Sequence, residues 1–305
     1  MLCPRGCGVD RRGGGAGFCG ESSEIRAACA LLHFGEEPPI TGSGGSGTVF
    51  FTGCTLQCAF CQNWQVSRGG EGTTLTLDEL SRVFRSLQER GAENVNVVTG
   101  TQFAPGILEA YRAAQSNGLE IPLVWNSSGY ETPETVALLA KSVSFFLPDL
   151  KTLDPALAGR FFNAADYPER AKRALLDMAE AVPLVYRGDV PVRGVIVRHL
   201  VLPGNLPDTR AVLEWYKENL DGKAMLSLMY QYTPIPGFDL PSPMDRMLTA
   251  AEYMESFEML EDLSIESGYF QDPATDGEWL PDFKNPRPFP SGKSLVIWHY
   301  AGIPG

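Results

Sequence analysis

No stretch of about 18 or more apolar residues occurs in the 305-residue chain, so no membrane span is expected. Nor is there a block of lysine and arginine: 25 basic residues stand against 37 acidic ones, a formal net charge of −12. Tight nucleic-acid binders need clustered cations to displace phosphate counterions, so neither DNA nor RNA is an expected partner. The first residues, MLCPRGCGVDRR, lack an apolar signal core. Histidine is scarce, at 3 residues, which narrows the choice of any functional imidazole. What the chain does have is 44% hydrophobic residues over a length that supports a sizeable core, as one large domain or two. Its 7 cysteines, three of them packed into one short motif, suit a reducing cytoplasm better than a disulfide framework.

That motif is the run GCTLQCAFCQNW, with Cys54, Cys58 and Cys61 at CxxxCxxC spacing. Iron–sulfur clusters are normally closed by four cysteines. Three thiolates from one loop hold three irons of a 4Fe–4S cube and leave the fourth iron without a protein ligand. An open coordination position marks a metal site built for chemistry rather than structure. The alternatives are a zinc knuckle completed from elsewhere and three unconnected core cysteines. Zinc pairs need a distant second pair, and no second CxxC exists in the sequence.

Six β-rich apolar runs recur along the chain: 48–52, 94–98, 121–125, 143–147, 194–200 and 224–229. Helix candidates lie between and after them. Thr76–Arg90 opens with Thr76 and Glu79 at capping-box spacing and sets Leu77, Leu80, Phe84 and Leu87 on one face. Pro105–Ser116 begins with proline in its first turn, and Thr132–Ala140 has Thr132 as N-cap before Pro133. Asp166–Ala181, Leu206–Asn219 and Met244–Leu263 follow. The last holds Met244, Met247, Met254 and Met259, a stripe read as core packing rather than as a partner-binding face. Alternation of strand and helix predicts a parallel sheet, and six units fall short of a closed eightfold barrel. Ligands in such folds collect at the C-terminal strand ends. Residues 1–47 form a Cys/Gly-rich arm, 48–270 the βα repeat and 271–305 a Pro-rich wrap with one late strand. The glycine run 42–47 lacks the Lys-Ser/Thr ending of a phosphate loop and reads as a flexible entry or as close backbone packing.

CxxxCxφC, with Phe60 before the third cysteine, resembles the fingerprint of radical S-adenosylmethionine (radical SAM) enzymes. The resemblance implies a partial (β/α)6 TIM-like barrel with the cluster in the loop after the first strand, where Cys54 stands. It implies that SAM chelates the open iron and that one electron cleaves it to methionine and a 5′-deoxyadenosyl radical, which abstracts hydrogen. The strings CPRGCGVDR, LHFGEEPPITGSGGSGTVFFTGC, CQNWQVS, PDLK, DYPERA and RHLVLPGN resemble the uncharacterised branch related to pyruvate formate-lyase activating enzymes, over most of residues 1–235. Those enzymes abstract hydrogen from a glycine of a partner protein. The implied partners are therefore a glycyl radical enzyme or, alternatively, a small molecule, together with a reductant such as flavodoxin or ferredoxin.

The same resemblance nominates cofactor contacts. Phe60 is expected beside the adenine. Thr99, Gly100 and Thr101 occupy the place of a GGE-type motif whose backbone oxygens receive the SAM ammonium. Asn126, Ser127 and Ser128 suit carboxylate or ribose contact, the alternative being a plain turn. Asp149 and Lys151 match a DxK element, the alternative being a surface ion pair. Arg198 and His199 are adjacent, so on a strand only one faces the lumen. His199 is the preferred histidine, ahead of His33 and His299.

Cys3, Cys7 and Cys19 have spacings that suit a second metal site, an iron–sulfur cluster able to pass electrons to the first or a zinc ion. The fourth ligand would be Cys29, a residue upstream of Met1 or a non-cysteine group; Cys29 itself reads as core. The alternative is a set of free thiols. Two further function classes are an iron–sulfur electron-transfer protein and a zinc-stabilised binding scaffold without catalysis.

Overall fold

A computed structural model describes residues 1–271, 280–290 and 292–303. In chain order its strands are β1 (Arg26–His33), β2 (Ser46–Phe51), β3 (Thr73–Thr74), β4 (Val95–Val98), β5 (Leu123–Ser127), β6 (Val143–Pro148), β7 (Val185–Arg187), β8 (Val190–Leu200), β9 (Met225–Met229), β10 (Gly268–Phe270) and β11 (Ser294–His299). The helices are α1 (Pro38–Thr41), α2 (Trp64–Ser67), α3 (Leu77–Glu89), α4 (Ala104–Ser116), α5 (Pro133–Leu139), α6 (Pro155–Phe162), α7 (Tyr167–Ala181), α8 (Leu206–Asn219) and α9 (Ala250–Asp262).

All six runs read as strands are strands of one sheet, in the order β10-β9-β8-β6-β5-β4-β2-β1-β11. From β2 to β10 every neighbouring pair is parallel. Among the described residues β10 and β11 end the sheet without pairing to each other, so the barrel is partial and open. Five strands go beyond the six runs; of these, β3 pairs with β1 and β7 with β8. β10 adds a seventh parallel strand. β1 and β11 lie antiparallel at the other edge, from the arm and from the wrap. Cys29 is fully buried on β1, paired with Phe50, and forms part of the core.

Local chemistry explains the helix limits. Thr76 and Glu79 form a complete capping box at the start of α3, each side chain accepting from the other's main-chain N–H. Thr132 caps α5 through the Thr135 N–H. α6 was not foreseen; Asp154 caps it at 2.7 Å from the Ala156 N–H, Pro155 begins it and Asn163 ends it in the left-handed conformation. The methionine stripe is corrected. Pro241 and Pro243 hold the preceding chain out of helix, and a Thr249–Glu252 capping box starts α9 only at Ala250. Met244 and Met247 therefore lie outside the helix. Met244 and Met259 are buried, whereas Met254 is exposed. No helix of the described residues is long and apolar enough to cross a membrane.

Candidate active site

β2 ends at Phe51, and two residues on, Gly53, with a φ of +74°, turns the chain into the cysteine loop. A Cβ at Gly53 would meet the Cys19 carbonyl oxygen at 2.6 Å and the Glu21 side chain at 2.4 Å, so both conformation and space demand glycine. Beyond it, Cys54 and Cys58 are buried and Cys61 is half-buried. The Leu56 N–H donates to Cys54 Sγ at 3.4 Å and the Ser67 hydroxyl to Cys61 Sγ at 3.6 Å. Burial pushes the Cys54 and Cys58 thiols up, and the charges of the neighbouring cysteines push further, while Lys151 acts the other way. Soft thiol donors held close together, with polar hydrogens at two of the sulfurs, form a donor set that fits an iron–sulfur cluster. Among the described residues no group of three Cys, His, Asp or Glu side chains is arranged to hold a metal ion. The thiolates of a cube sit on separate irons and so stand farther apart than ligands of one ion.

The three cysteines line a cavity of about 220 Å3 at the C-terminal ends of the parallel strands. Phe60, Thr99, Asn126, Ser127, Ser128, Asp149, Lys151 and Arg198 line it too. Phe60 also packs among Phe161, Phe162 and Tyr232, with ring centroids 5.6–6.1 Å away. Thr99 is left-handed, and its carbonyl accepts the Gln102 amide at 2.8 Å. At the end of β6, Lys151 Nζ lies 2.5 Å from Asp149 Oδ2. Burial opposes the Lys151 charge, but the Asp149 carboxylate and the Cys58 sulfur outweigh it and raise the Lys151 pKa. The Tyr167 hydroxyl joins β5 to β6: it stands 2.9 Å from the Ser128 carbonyl and 2.8 Å from that of Asp149, and accepts the Lys151 N–H at 3.0 Å.

Three nominated residues do not line the cavity. Gly100 packs against the helix layer, where a Cβ would meet Val97, Ile107 and Trp125. Thr101 donates to buried Glu131 at 2.7 Å. His199 faces α8, with Nδ1 2.7 Å from the Leu150 carbonyl and Nε2 3.1 Å from the Thr209 hydroxyl. A carbonyl cannot donate, so Nδ1 carries the proton and Nε2 accepts from Thr209. Burial lowers the His199 pKa and keeps the ring neutral. The order of the histidines is thus reversed: His33 lines the cavity, edge-on to Phe289 at 5.1 Å, and His199 does not. His299 is buried beside the Phe283 carbonyl, 3.1 Å from Nε2, away from the cavity.

Arg198 faces the lumen already committed. Its Nε donates to Glu37 Oε1 at 2.9 Å, and a further guanidinium nitrogen bonds both Glu36 and Glu37. Burial works against ionising Glu37, but Arg198 outweighs it and holds the carboxyl below the usual range. Asn96 donates to Glu36 at 3.1 Å. These two glutamates, with Gln231 and Asn63, line the cavity without belonging to any sequence motif that nominates them. The one available signal is a pair of adjacent acids three and four residues past the apolar run that forms β1. Among the described residues, Gln231 Oε1 and Asn63 Oδ1 are buried acceptors without a hydrogen-bond partner. Glu131 is also new: burial raises its pKa to about 7 against the hydrogen bonds it accepts from Thr101 and Ser127. Cys3, Cys7 and Cys19 stand apart from the cavity, in the N-terminal arm.

Residues 48–215 match the family described as the radical SAM superfamily. The uncharacterized protein MJ0674 of Methanocaldococcus jannaschii is 29% identical over 88% of this chain and 76% of its own length. Among solved structures, Streptococcus suis SuiB bound to S-adenosylmethionine superposes with a TM-score of 0.51 at 18% identity, over 74% of this chain and 49% of SuiB. A radical SAM methyltransferase from Sphaerobacter thermophilus gives 0.52 at 16% identity, over 73% of this chain and 65% of the methyltransferase. The chain thus matches about half the length of SuiB and just under two thirds of the methyltransferase.

Proposed function

The chain belongs to the radical SAM superfamily, and on that premise we propose that it cleaves S-adenosylmethionine reductively to initiate hydrogen abstraction from a substrate. The observation that carries this reading is the meeting of Cys54, Cys58 and Cys61 with the C-terminal strand ends around one cavity. Cys54, Cys58 and Cys61 would hold the 4Fe–4S cluster. Cluster and SAM together supply one-electron cleavage of a carbon–sulfur bond and a carbon radical. The protein's part is to bind, orient and exclude water. Asn126, Ser127 and Ser128 offer donors and acceptors for the polar groups of SAM, and Phe60 offers an aromatic edge for its base. Lys151 sets a positive charge beside the cysteine sulfurs, held in place by Asp149. Thr99 reaches the cavity, its carbonyl held by the Gln102 amide. Arg198, bonded to Glu36 and Glu37, forms part of the cavity wall, and His199 braces the Leu150 carbonyl just past β6 from outside.

The abstracted hydrogen belongs, in this reading, to a glycine of a partner protein, as the likeness of PDLK and the cysteine loop to activating enzymes suggests; flavodoxin or ferredoxin would supply the electron. Anaerobic reconstitution with iron and sulfide, then dithionite and SAM, is expected to yield 5′-deoxyadenosine, and Cys58→Ala is expected to yield none. Equal product from wild type and variant sinks the reading. A stable radical on a candidate glycyl radical enzyme, counted by electron paramagnetic resonance, tests the finer statement. Repeated turnover of a small molecule without that radical replaces it.

A further inference from the structure

The N-terminal arm holds three cysteines that the proposed reaction does not use. Residues 1–25 contain no helix or strand. Val9 and Phe18 are exposed, so the arm has little core of its own. Short segments without a core need a staple to hold one shape. Yet the arm takes a defined course, with left-handed glycines at Gly6, Gly8 and Gly20 turning the chain around the cysteines.

The sulfurs converge. A point one Cβ bond from Gly17 lies 3.5 Å from Cys7 Sγ and 3.6 Å from Cys19 Sγ, so both thiols gather on the side of Gly17 that a side chain would occupy. The Phe18 N–H donates to Cys7 Sγ at 3.2 Å. Burial pushes the Cys3 and Cys19 thiols up, opposed by main-chain hydrogen bonds at Arg5 and Glu21. The charge of Cys7 bears on both, and that of Cys19 on Cys3.

We propose that Cys3, Cys7 and Cys19 form a second metal centre, a thiolate site for a soft cation, that clamps the loop bearing Cys54, Cys58 and Cys61. Zinc and iron within a cluster share the thiolate chemistry that the site provides. Three thiolates leave one tetrahedral position for a further ligand. As they stand, Cys3, Cys7 and Cys19 are not arranged around a single metal ion.

The clamp is made of contacts on both sides of the trio. Between Cys3 and Cys7, Arg5 Nε donates to the Thr55 carbonyl at 2.7 Å and a second guanidinium nitrogen to the Phe162 carbonyl at 2.9 Å. Next to Cys19, the Phe18 carbonyl accepts the Gln57 amide at 2.8 Å. The Cys19 carbonyl itself lies against Gly53. A metal that fixes the three cysteines fixes these contacts to Gly53, Thr55 and Gln57, the residues around Cys54. The centre does not depend on the reaction proposed above.

The full chain, purified without oxygen, would be analysed for metal as wild type, as Cys7→Ser, as Cys3→Ser/Cys19→Ser, and as the triple Cys54→Ala/Cys58→Ala/Cys61→Ala variant. The triple variant is expected to keep about one equivalent of zinc, or iron with a thiolate chromophore. Cys7→Ser changes an exposed residue; with its circular dichroism unchanged, it is expected to lose that metal while holding the iron of the cube. Wild type and the Cys7 and Cys3/Cys19 variants carrying equal metal would overturn the site, as would a Cys7–Cys19 disulfide in the native protein. The clamp predicts that Cys7→Ser surrenders cube iron to a chelator several-fold faster than wild type. Equal rates would overturn the clamp.

Discussion

Lys151 and Asp149 are an ion pair whose cation lies between a carboxylate and the cluster cysteines: Lys151 Nζ is 2.5 Å from Asp149 Oδ2, and the charge of Cys58 bears on it. Two residues apart at the end of β6, they share a face and both line the cavity. Such supporting partners of metal ligands typically carry about 10- to 100-fold in affinity or activity. Asp149→Asn and Lys151→Met are each expected to lower 5′-deoxyadenosine formation by about that factor. The double variant is expected to lose little more than the worse single one, because the pair acts as a unit. Wild-type rates in all three would remove the pair from the site.

Arg198 carries two carboxylates, Glu36 and Glu37, with all three side chains nearly buried. Removing the guanidinium strands both acids, and breaking a buried pair in this way costs about 3–5 kcal/mol. Arg198→Met should therefore lower the denaturant midpoint sharply, and adding Glu37→Gln should recover part of the loss. A chemical-denaturation series on the single and double variants checks this. Because Arg198 holds the Glu37 carboxyl below its unfolded value, the stability it contributes is present above the unfolded pKa and fades as pH falls through the folded one.

Glu131 has the opposite sign. Its folded pKa is raised to about 7 by burial, whereas an unfolded glutamate titrates near 4.3. The folded state therefore binds the proton more tightly, and stability is lost as pH rises from about 4.3 to about 7. At 2% exposure the shift is worth on the order of 3 kcal/mol. Glu131→Gln should flatten this part of the stability profile, so the variant's advantage over wild type should grow with pH across the window. A constant difference would show that Glu131 ionises normally.

Much of the fold was legible because burial on both faces writes a parallel strand as a short apolar run. β1 carries the same signature, but it sits beside the Cys/Gly-rich arm and was read only as core. β10, at three residues, is too short to show a pattern. The cysteine loop was legible as a local spacing. The Arg198–Glu37 pair was not, because its members lie 161 positions apart and only the register of the sheet brings them together. Alternation along β8 said that either Arg198 or His199 faces the lumen. The choice needed the pairing of β8 between β6 and β9.

Gly53 gives the sharpest test of how the arm meets the cysteine loop. Its φ of +74° and the Cys19 carbonyl 2.6 Å from any Cβ leave alanine strained twice, by conformation and by contact with a main-chain atom that cannot swing away. Strain of each kind costs roughly 1–3 kcal/mol. Relief requires the arm to lift from the loop or the turn before Cys54 to change shape. Either movement disturbs Cys54, which follows directly in the chain. Gly53→Ala is therefore expected to lower the melting temperature and, after identical reconstitution, to bind less iron per chain than wild type. A variant that melts lower yet fills its cluster fully would show that the arm contributes stability without shaping the cysteine loop.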